Sequence, residues 1–600
     1  MNRREFLKRT GTVPALAALG PLARVAPQTR VPFRRVRPSD PGWPSADAWA
    51  ALKQRVGGRL IPVPSVLAPC RTAPDSPDCA ERLKDLQNPY FIGDLPGGTQ
   101  TSGWLDAWTA EPSVWAVTAA NASDVAAAVE FARRHDLRLV VKGGGHSYQG
   151  TSNAPDSLLV WTRGMHAITL HDAFVPAGCR VEPRPAVTVG AGVRWLEAYD
   201  AVTTRAGRYV QGGGCATVGV AGLIQSGGFG SFSKRFGTAA SSLIEAEIVT
   251  ADGQIRIANA CTHPDLYWGL KGGGGGSLGI VTRVTLGTHD LPDQFGWAEG
   301  KIRAKSDAAF RRLTAEFFRF YRTALLNPHW GEQAAFGSDN TLALSMVMQG
   351  LTSEAAQTVW KPFREFLAAS PGDFEIVDPL SVDAMPARNW WDAAWRLAND
   401  ADSVRADARP GASPGNVYWR GNAIEVNIFI YGYESIWLPA ALLSDPDRLA
   451  DTLFRASRRY AVGLHFNKGL SGAPADRVAA ARDTATNPAV LDAFALAIVA
   501  TGAPQSGPGQ AGHEPDLAKG RAQAAEVAAA SEILRSVVPT PGSYVSESNY
   551  FERTFQSSYW GPNYSRLSAV KKKYDPDGLF FVHNGVGSEE WSRDGFTRLS

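Results

Sequence analysis

The sequence has almost no net charge: 61 Lys and Arg against 58 Asp and Glu leave +3 over 600 residues. No basic stripe interrupts that balance, so nothing in it asks for nucleic acid. An apolar run near the roughly 20 residues needed to cross a bilayer is also missing, and no membrane span is expected. Cysteine is scarce, with 5 residues, and the count is odd. Glycine is abundant at 60 residues, and there are 18 tryptophans, most of them expected in cores. An apolar fraction of 44% with 20% charged residues is that of a globular chain, and 600 residues exceed one ordinary core, so two or more domains are expected.

The N-terminus places Arg3-Arg4 before Phe6-Leu7-Lys8, followed by a weakly apolar small-residue run over residues 13–26. This resembles a twin-arginine export signal, assigned to residues 1–26, and implies a periplasmic or secreted protein. In an oxidising compartment, five cysteines leave one thiol over. Cys70 and Cys79, nine apart in a Pro-rich loop, are a candidate disulfide. Cys179 with Cys261 is a pairing by elimination, if Cys215 has another task.

Residues 27–111 are rich in Pro, Gly and Trp and read as an extension packed on the domain that follows. Over 112–290 the pattern sharpens into a short strand at 115–118, a helix at 121–135 and a strand at 137–141. The helix has Asn121 or Ser123 as cap and Arg133-Arg134 in its last turn. Further strands are expected at 187–189, 245–250 and 254–257. Over 291–540 long helical patterns (306–325, 353–369, 447–460) alternate with strands at 342–349 and 423–431, a second domain of α+β type. Residues 501–515 read as a surface loop, and 541–600 as a segment returning to the first domain.

Three glycine clusters carry the chemistry. The first is Gly143-Gly144-Gly145-His146-Ser147-Tyr148, with Gly150 behind it. The second is Gly212-Gly213-Gly214-Cys215-Ala216-Thr217-Val218-Gly219, then Gly222 and Gly228. The third runs over 272–276 into Ser277-Leu278-Gly279-Ile280-Val281. Glycine lets backbone amides close on a bulky anion, and three such loops in one domain imply a large phosphate-bearing ligand. A nicotinamide Rossmann site is the rival, since Gly274, Gly276 and Gly279 fit its spacing. That fingerprint needs a strand before it and a helix after it, whereas here a helical stretch at 264–270 precedes and a strand at 280–286 follows.

Together with Tyr559-Trp560-Gly561, Tyr574-Asp575-Pro576 and His583-Asn584-Gly585 near the C-terminus, these motifs resemble the berberine-bridge-enzyme-like oxidases of the vanillyl-alcohol oxidase and p-cresol methylhydroxylase superfamily. The resemblance covers 112–290 and 540–590 well and the middle loosely. It implies a two-domain FAD-linked oxidase architecture of α+β class, with an FAD-binding domain built from both ends of the chain and an antiparallel sheet in the substrate domain. It further implies FAD bonded through its 8α carbon to His146 and through C6 to Cys215. The cofactor-binding set is then Gly143, Gly144, Gly145, His146, Ser147, Gly150, Gly214, Cys215, Thr217, Val218, Gly219, Gly222, Gly228, Gly279, Ile280, Val281 and Asn584. In similar enzymes valine at the position of Val218 goes with oxygen access, so the resemblance implies an oxidase with O2 as acceptor and hydrogen peroxide as product. The alternative is a dehydrogenase passing electrons to a quinone or cytochrome. A departure is Leu223, where many relatives have histidine.

The substrate is expected to be a small alcohol, carbohydrate or phenolic molecule lying between the flavin and the second domain's sheet; no metal is expected. Such oxidation needs a group to take the hydroxyl proton. Candidates are Tyr148, Glu425 on one face of the 423–431 strand, His465, and Tyr550 in a stretch with Tyr544, Glu547 and Asn549.

Overall fold

A computed structural model describes residues 33–599. The twin-arginine reading at 1–26 lies outside the described residues. The β-α-β unit is present: strand Trp115–Thr118, helix Ala122–Arg134 and strand Arg138–Lys142. Asn121 caps the helix, its side chain accepting from the Asp124 amide, and Arg133 and Arg134 sit at the negative end of its dipole. With Ser157–Trp161 between them, the two strands run parallel in a small sheet that Leu60–Pro62 closes at one edge. A single bridge from Leu139 to Phe580 lays the C-terminal segment beside this sheet.

A second, antiparallel sheet has the order Ile255–Asn259, Leu243–Val249, Ile280–Asp290, Arg184–Gly190 and Ile168–Phe174. Pro264–Leu270 is a helix ahead of the third glycine cluster and Ile280–Asp290 a strand after it, the reverse of a Rossmann turn.

The large sheet has nine strands, ordered Phe374–Pro386, Gln294–Ala304, Thr341–Gln349, Trp330–Phe336, Val462–His465, Ala493–Ala503, Ile428–Pro439, Thr101–Trp104 and Trp108–Thr109. Helices Asp307–Phe320, Ser353–Ala368, Pro446–Ser457 and Leu517–Arg535 cover one face through Phe310, Phe317, Trp360, Leu453 and Val527. The opposite face is left for the site: Trp297 and Glu299, Ser345 and Val347, and His465 look onto a cavity. Alternation along each strand produces this division, with Ala298 and Met346 on the helix side.

Three expectations need correction. The 423–431 strand is divided: Asn422–Glu425 is a helical turn, and the strand starts at Ile428. Asn427 between them has φ +56°, a left-handed conformation that ends the turn and cannot continue an extended run. The N-terminal extension is more than a wrapping on the first domain, because Thr101–Trp104 pairs in parallel with Ile428–Pro439 of the large sheet. The loop expected from residue 501 begins later, since the strand Ala493–Ala503 runs on to that point.

Candidate functional site

Strand Arg138–Lys142 delivers its last residue into the protein. The buried Lys142 ammonium donates to Ile92 O (3.1 Å), Pro96 O (3.4 Å) and Leu95 O, fastening the base of the first glycine loop to the extension. Burial, then the Arg194 charge, pushes this amine down to about 7. A Cβ on Gly144 would stand 2.8 Å from both Gly219 N and Thr217 O, so only glycine lets the first and second loops abut. His146 Nε2 then lies 2.8 Å from Thr217 Oγ1. Burial, reinforced by the charges of Arg194 and Lys142, pushes the imidazole down to about 3. His146 is therefore neutral, with a ring-nitrogen lone pair.

Both disulfides, Cys70–Cys79 and Cys179–Cys261, are formed, which leaves Cys215 as the free thiol. Its Sγ accepts from Asn422 Nδ2 at 3.3 Å, and Trp419 Nε1 donates to Gly214 O at 3.0 Å. Burial, then the Glu425 carboxylate, pushes the thiol up to about 12.

The loops open on a cavity of about 1320 Å³ that His146, Cys215 and the third glycine cluster line together. Its wall tests whether FAD fits. A Cβ on Gly222 would meet nothing within 4 Å, and one on Gly275 would first meet Gln225 at 4.0 Å. No neighbouring protein atom demands glycine at these positions. Both line the cavity, where a side chain would occupy its space. A glycine-walled trough ending at a neutral imidazole and a thiol fits a dinucleotide with an isoalloxazine ring at that end.

Beyond the thiol the cavity is floored by the large sheet. Tyr148 O–H donates to Glu425 Oε2 at 3.1 Å, and the Tyr148 ring stacks on Tyr433 at 5.4 Å. The Glu425 carboxyl meets open cavity space yet is enclosed by the chain, and burial raises its pKa; the Tyr148 hydrogen bond opposes this. Tyr148 itself is raised well above 10 by burial, then by Glu425, and stays a donor. Lys468 pairs with Glu547 alongside, and the charges of both reach Glu425. Glu332 accepts from Ser231 O–H and from Asn467 Nδ2 (3.4 Å), and burial raises its pKa too.

An FAD binding domain family model matches residues 115–259, and the berberine and berberine-like model matches residues 543–587. A VAO-type flavoprotein oxidase of Thermothelomyces thermophilus is 29% identical over 605 residues, spanning 95% of each chain. The chain is an FAD-linked oxidoreductase with a berberine-like segment near its C-terminus. A solved VAO-type flavoprotein of Myceliophthora thermophila C1 is similar to this chain with a TM-score of 0.74 at 24% identity, covering 94% of this chain and 99% of its own. The glucooligosaccharide oxidase of Acremonium strictum, described with a 6-S-cysteinyl, 8α-N1-histidyl FAD, is similar with a TM-score of 0.58 at 19% identity, covering 82% of this chain and 94% of its own. At those identities the two structures speak for the fold.

Within this site, Gly143, Gly144, Gly145, Ser147, Gly214, Val218, Gly219, Gly222, Gly279, Val281 and Asn584 line the cavity. Four candidates stand behind its wall. A Cβ on Gly150 would strike Trp108 at 2.7 Å, Thr217 reaches the site through His146, and neither Gly228 nor the buried Ile280 meets the cavity. Among the proton-transfer candidates, Tyr148, Glu425 and His465 line it. Tyr550 does not: its ring lies flat on His583 at 3.8 Å and near Trp104, which makes it a packing residue. Burial holds His465 well below 6.5, leaving it a neutral residue on the cavity wall. Sequence reasoning missed Glu332, Trp419, Asn422 and Lys468. None belongs to a glycine motif, and their segments meet the site only through the tertiary fold.

Proposed function

We propose that this protein is an exported oxidase that carries FAD on two covalent bonds, through His146 and Cys215, and oxidises a hydroxyl-bearing small molecule: an alcohol, a carbohydrate or a phenolic metabolite. The observation that carries this reading is the Gly144–Gly219 contact, which sets a neutral imidazole and the one unpaired thiol on the same cavity. The 6-S-cysteinyl, 8α-N1-histidyl FAD described for the Acremonium strictum enzyme supports it. Bound FAD would supply the acceptor for the hydride leaving the substrate carbon. The chain supplies the rest. Tyr148 O–H holds Glu425 Oε2, and Glu425 Oε1, which has no partner among the described residues, takes the substrate's hydroxyl proton. Tyr433 braces the Tyr148 ring, and the large sheet keeps the substrate against this pair. Val218 on the cavity wall supports O2 as the final acceptor, giving hydrogen peroxide. Export through the twin-arginine pathway accords with two disulfides, which persist in oxidising compartments.

Denaturing precipitation tests the attachment: the pellet should stay yellow in wild type and in each of His146→Ala and Cys215→Ala, and turn white in the double variant. Anaerobic bleaching by a panel of sugars, alcohols and phenols, then peroxide detection in air, tests the reaction. A white wild-type pellet would end the covalent reading, and slow reoxidation in air would replace the oxidase by a dehydrogenase.

A further inference from the structure

The segment over residues 404–425 belongs to the substrate half of the chain, yet it lies across the Cys215 loop at two points. Trp419 Nε1 donates to Gly214 O at 3.0 Å, and Asn422 Nδ2 donates to Cys215 Sγ at 3.3 Å. The segment is anchored from the other side by the N-terminal extension. Asn88 Nδ2 donates to Asp407 at 2.7 Å, Tyr90 O–H to Val417 O at 3.0 Å, and Arg409 to Asp94 at 2.8 Å. Asp94 is also held by the buried Arg194 of the FAD domain. This bracing fixes where the Asn422 amide can stand. The amide's other end, Oδ1, is buried and has no partner among the described residues. Among the described residues, the one hydrogen bond of the Asn422 side chain is therefore to the sulfur.

Resting on the two-bond reading above, we propose that Asn422 is a positioning residue for cofactor attachment: its N–H holds the Cys215 sulfur on the cavity wall and stabilises the thiolate that makes the second bond. Attachment replaces one S–H bond and one flavin C6–H bond by an S–C bond. Two electrons and two protons leave, and dioxygen, reduced to hydrogen peroxide, takes them. The sulfur is the nucleophile and must first lose its proton. Its surroundings resist this: burial, Glu425 and Glu547 act against the anion, and the Lys468 charge favours it. Glu332 adds a further carboxyl near Gly214. Asn422 supplies a directed hydrogen bond on the sulfur itself.

The test uses His146→Ala, in which Cys215 is the sole point of attachment, and compares it with His146→Ala/Asn422→Ala and the isosteric His146→Ala/Asn422→Asp. Each protein is purified with FAD, held at pH 7 and at pH 9, and digested. Peptide mass gives the fraction of Cys215 that carries flavin, and melting temperature checks folding. In both double variants at pH 7 that fraction should fall by about tenfold, the factor one hydrogen bond to a charged group commands. At pH 9 the alanine variant should recover, because two pH units raise the small thiolate fraction by about a hundredfold, more than the tenfold lost. Equal loading in all three proteins would overturn the assignment, as would a loss that pH 9 does not lift. No flavin on Cys215 in His146→Ala itself would overturn the two-bond reading, a separate result.

Discussion

Glu425 faces open cavity space while protein encloses it, and the cost of ionising it there sets a pH dependence. A base works in its ionised form, and burial raises the pKa from the ordinary 4.5. The ionised fraction, and with it kcat/KM, should therefore rise with pH through a midpoint above 4.5. Glu425→Gln should lower kcat by roughly 10²–10⁴-fold and erase that limb; a limb that survives in the variant would move the base elsewhere. At this scale the sequence was readable where a motif enclosed the residue. His146, Cys215 and Tyr148 stand in glycine-rich runs whose chemistry limits them. Glu332 shows the opposite. Trp330, Ala334 and Phe336 of its strand point into the helix-side core, and alternation alone would send Glu332 there. A φ of +65° puts its carboxyl on the cavity instead, a local strain that no residue pattern announces.

Elements were legible in proportion to how local their causes are. Helix Ala122–Arg134 has its cap, its acidic first turn and its basic last turn in contiguous sequence. The 423–431 stretch looked extended because Glu425 and Asn427 are spaced for one face of a strand, but one left-handed asparagine breaks it. The pairing of Thr101–Trp104 with Ile428–Pro439 joins residues more than three hundred apart and leaves no trace in either segment. Disulfides make a quantitative case of the same distinction. Cys70–Cys79 closes a separation of 9 residues and Cys179–Cys261 one of 82. In the chain-entropy account the first is worth about 2–3 kcal/mol and the second about 4–5 kcal/mol. Cys179→Ser should accordingly lower the melting temperature more than Cys70→Ser. Calorimetry in which the short bridge costs as much as the long one would show that strain or unfolded-state structure dominates.

In the whole molecule, the extension is the part that binds the halves together. Lys142 and Arg194 reach it from the FAD domain, Asp407 and Arg409 reach it from the substrate side, and its own strands complete the large sheet. The contact of Gly144 with Gly219 has an effect on this scale too. Under the proposed double attachment, the cofactor becomes a staple between two loops about 70 residues apart in the chain. Such a cross-link removes freedom from the unfolded ensemble just as a disulfide does, by about 4 kcal/mol for a ring of that size. His146→Ala and Cys215→Ala should then melt below wild type by similar amounts, although they delete quite different contacts. Equal melting temperatures for all three would mean that the staple is not closed. An enzyme built this way carries in its cofactor a third cross-link, one that no thiol reductant can open.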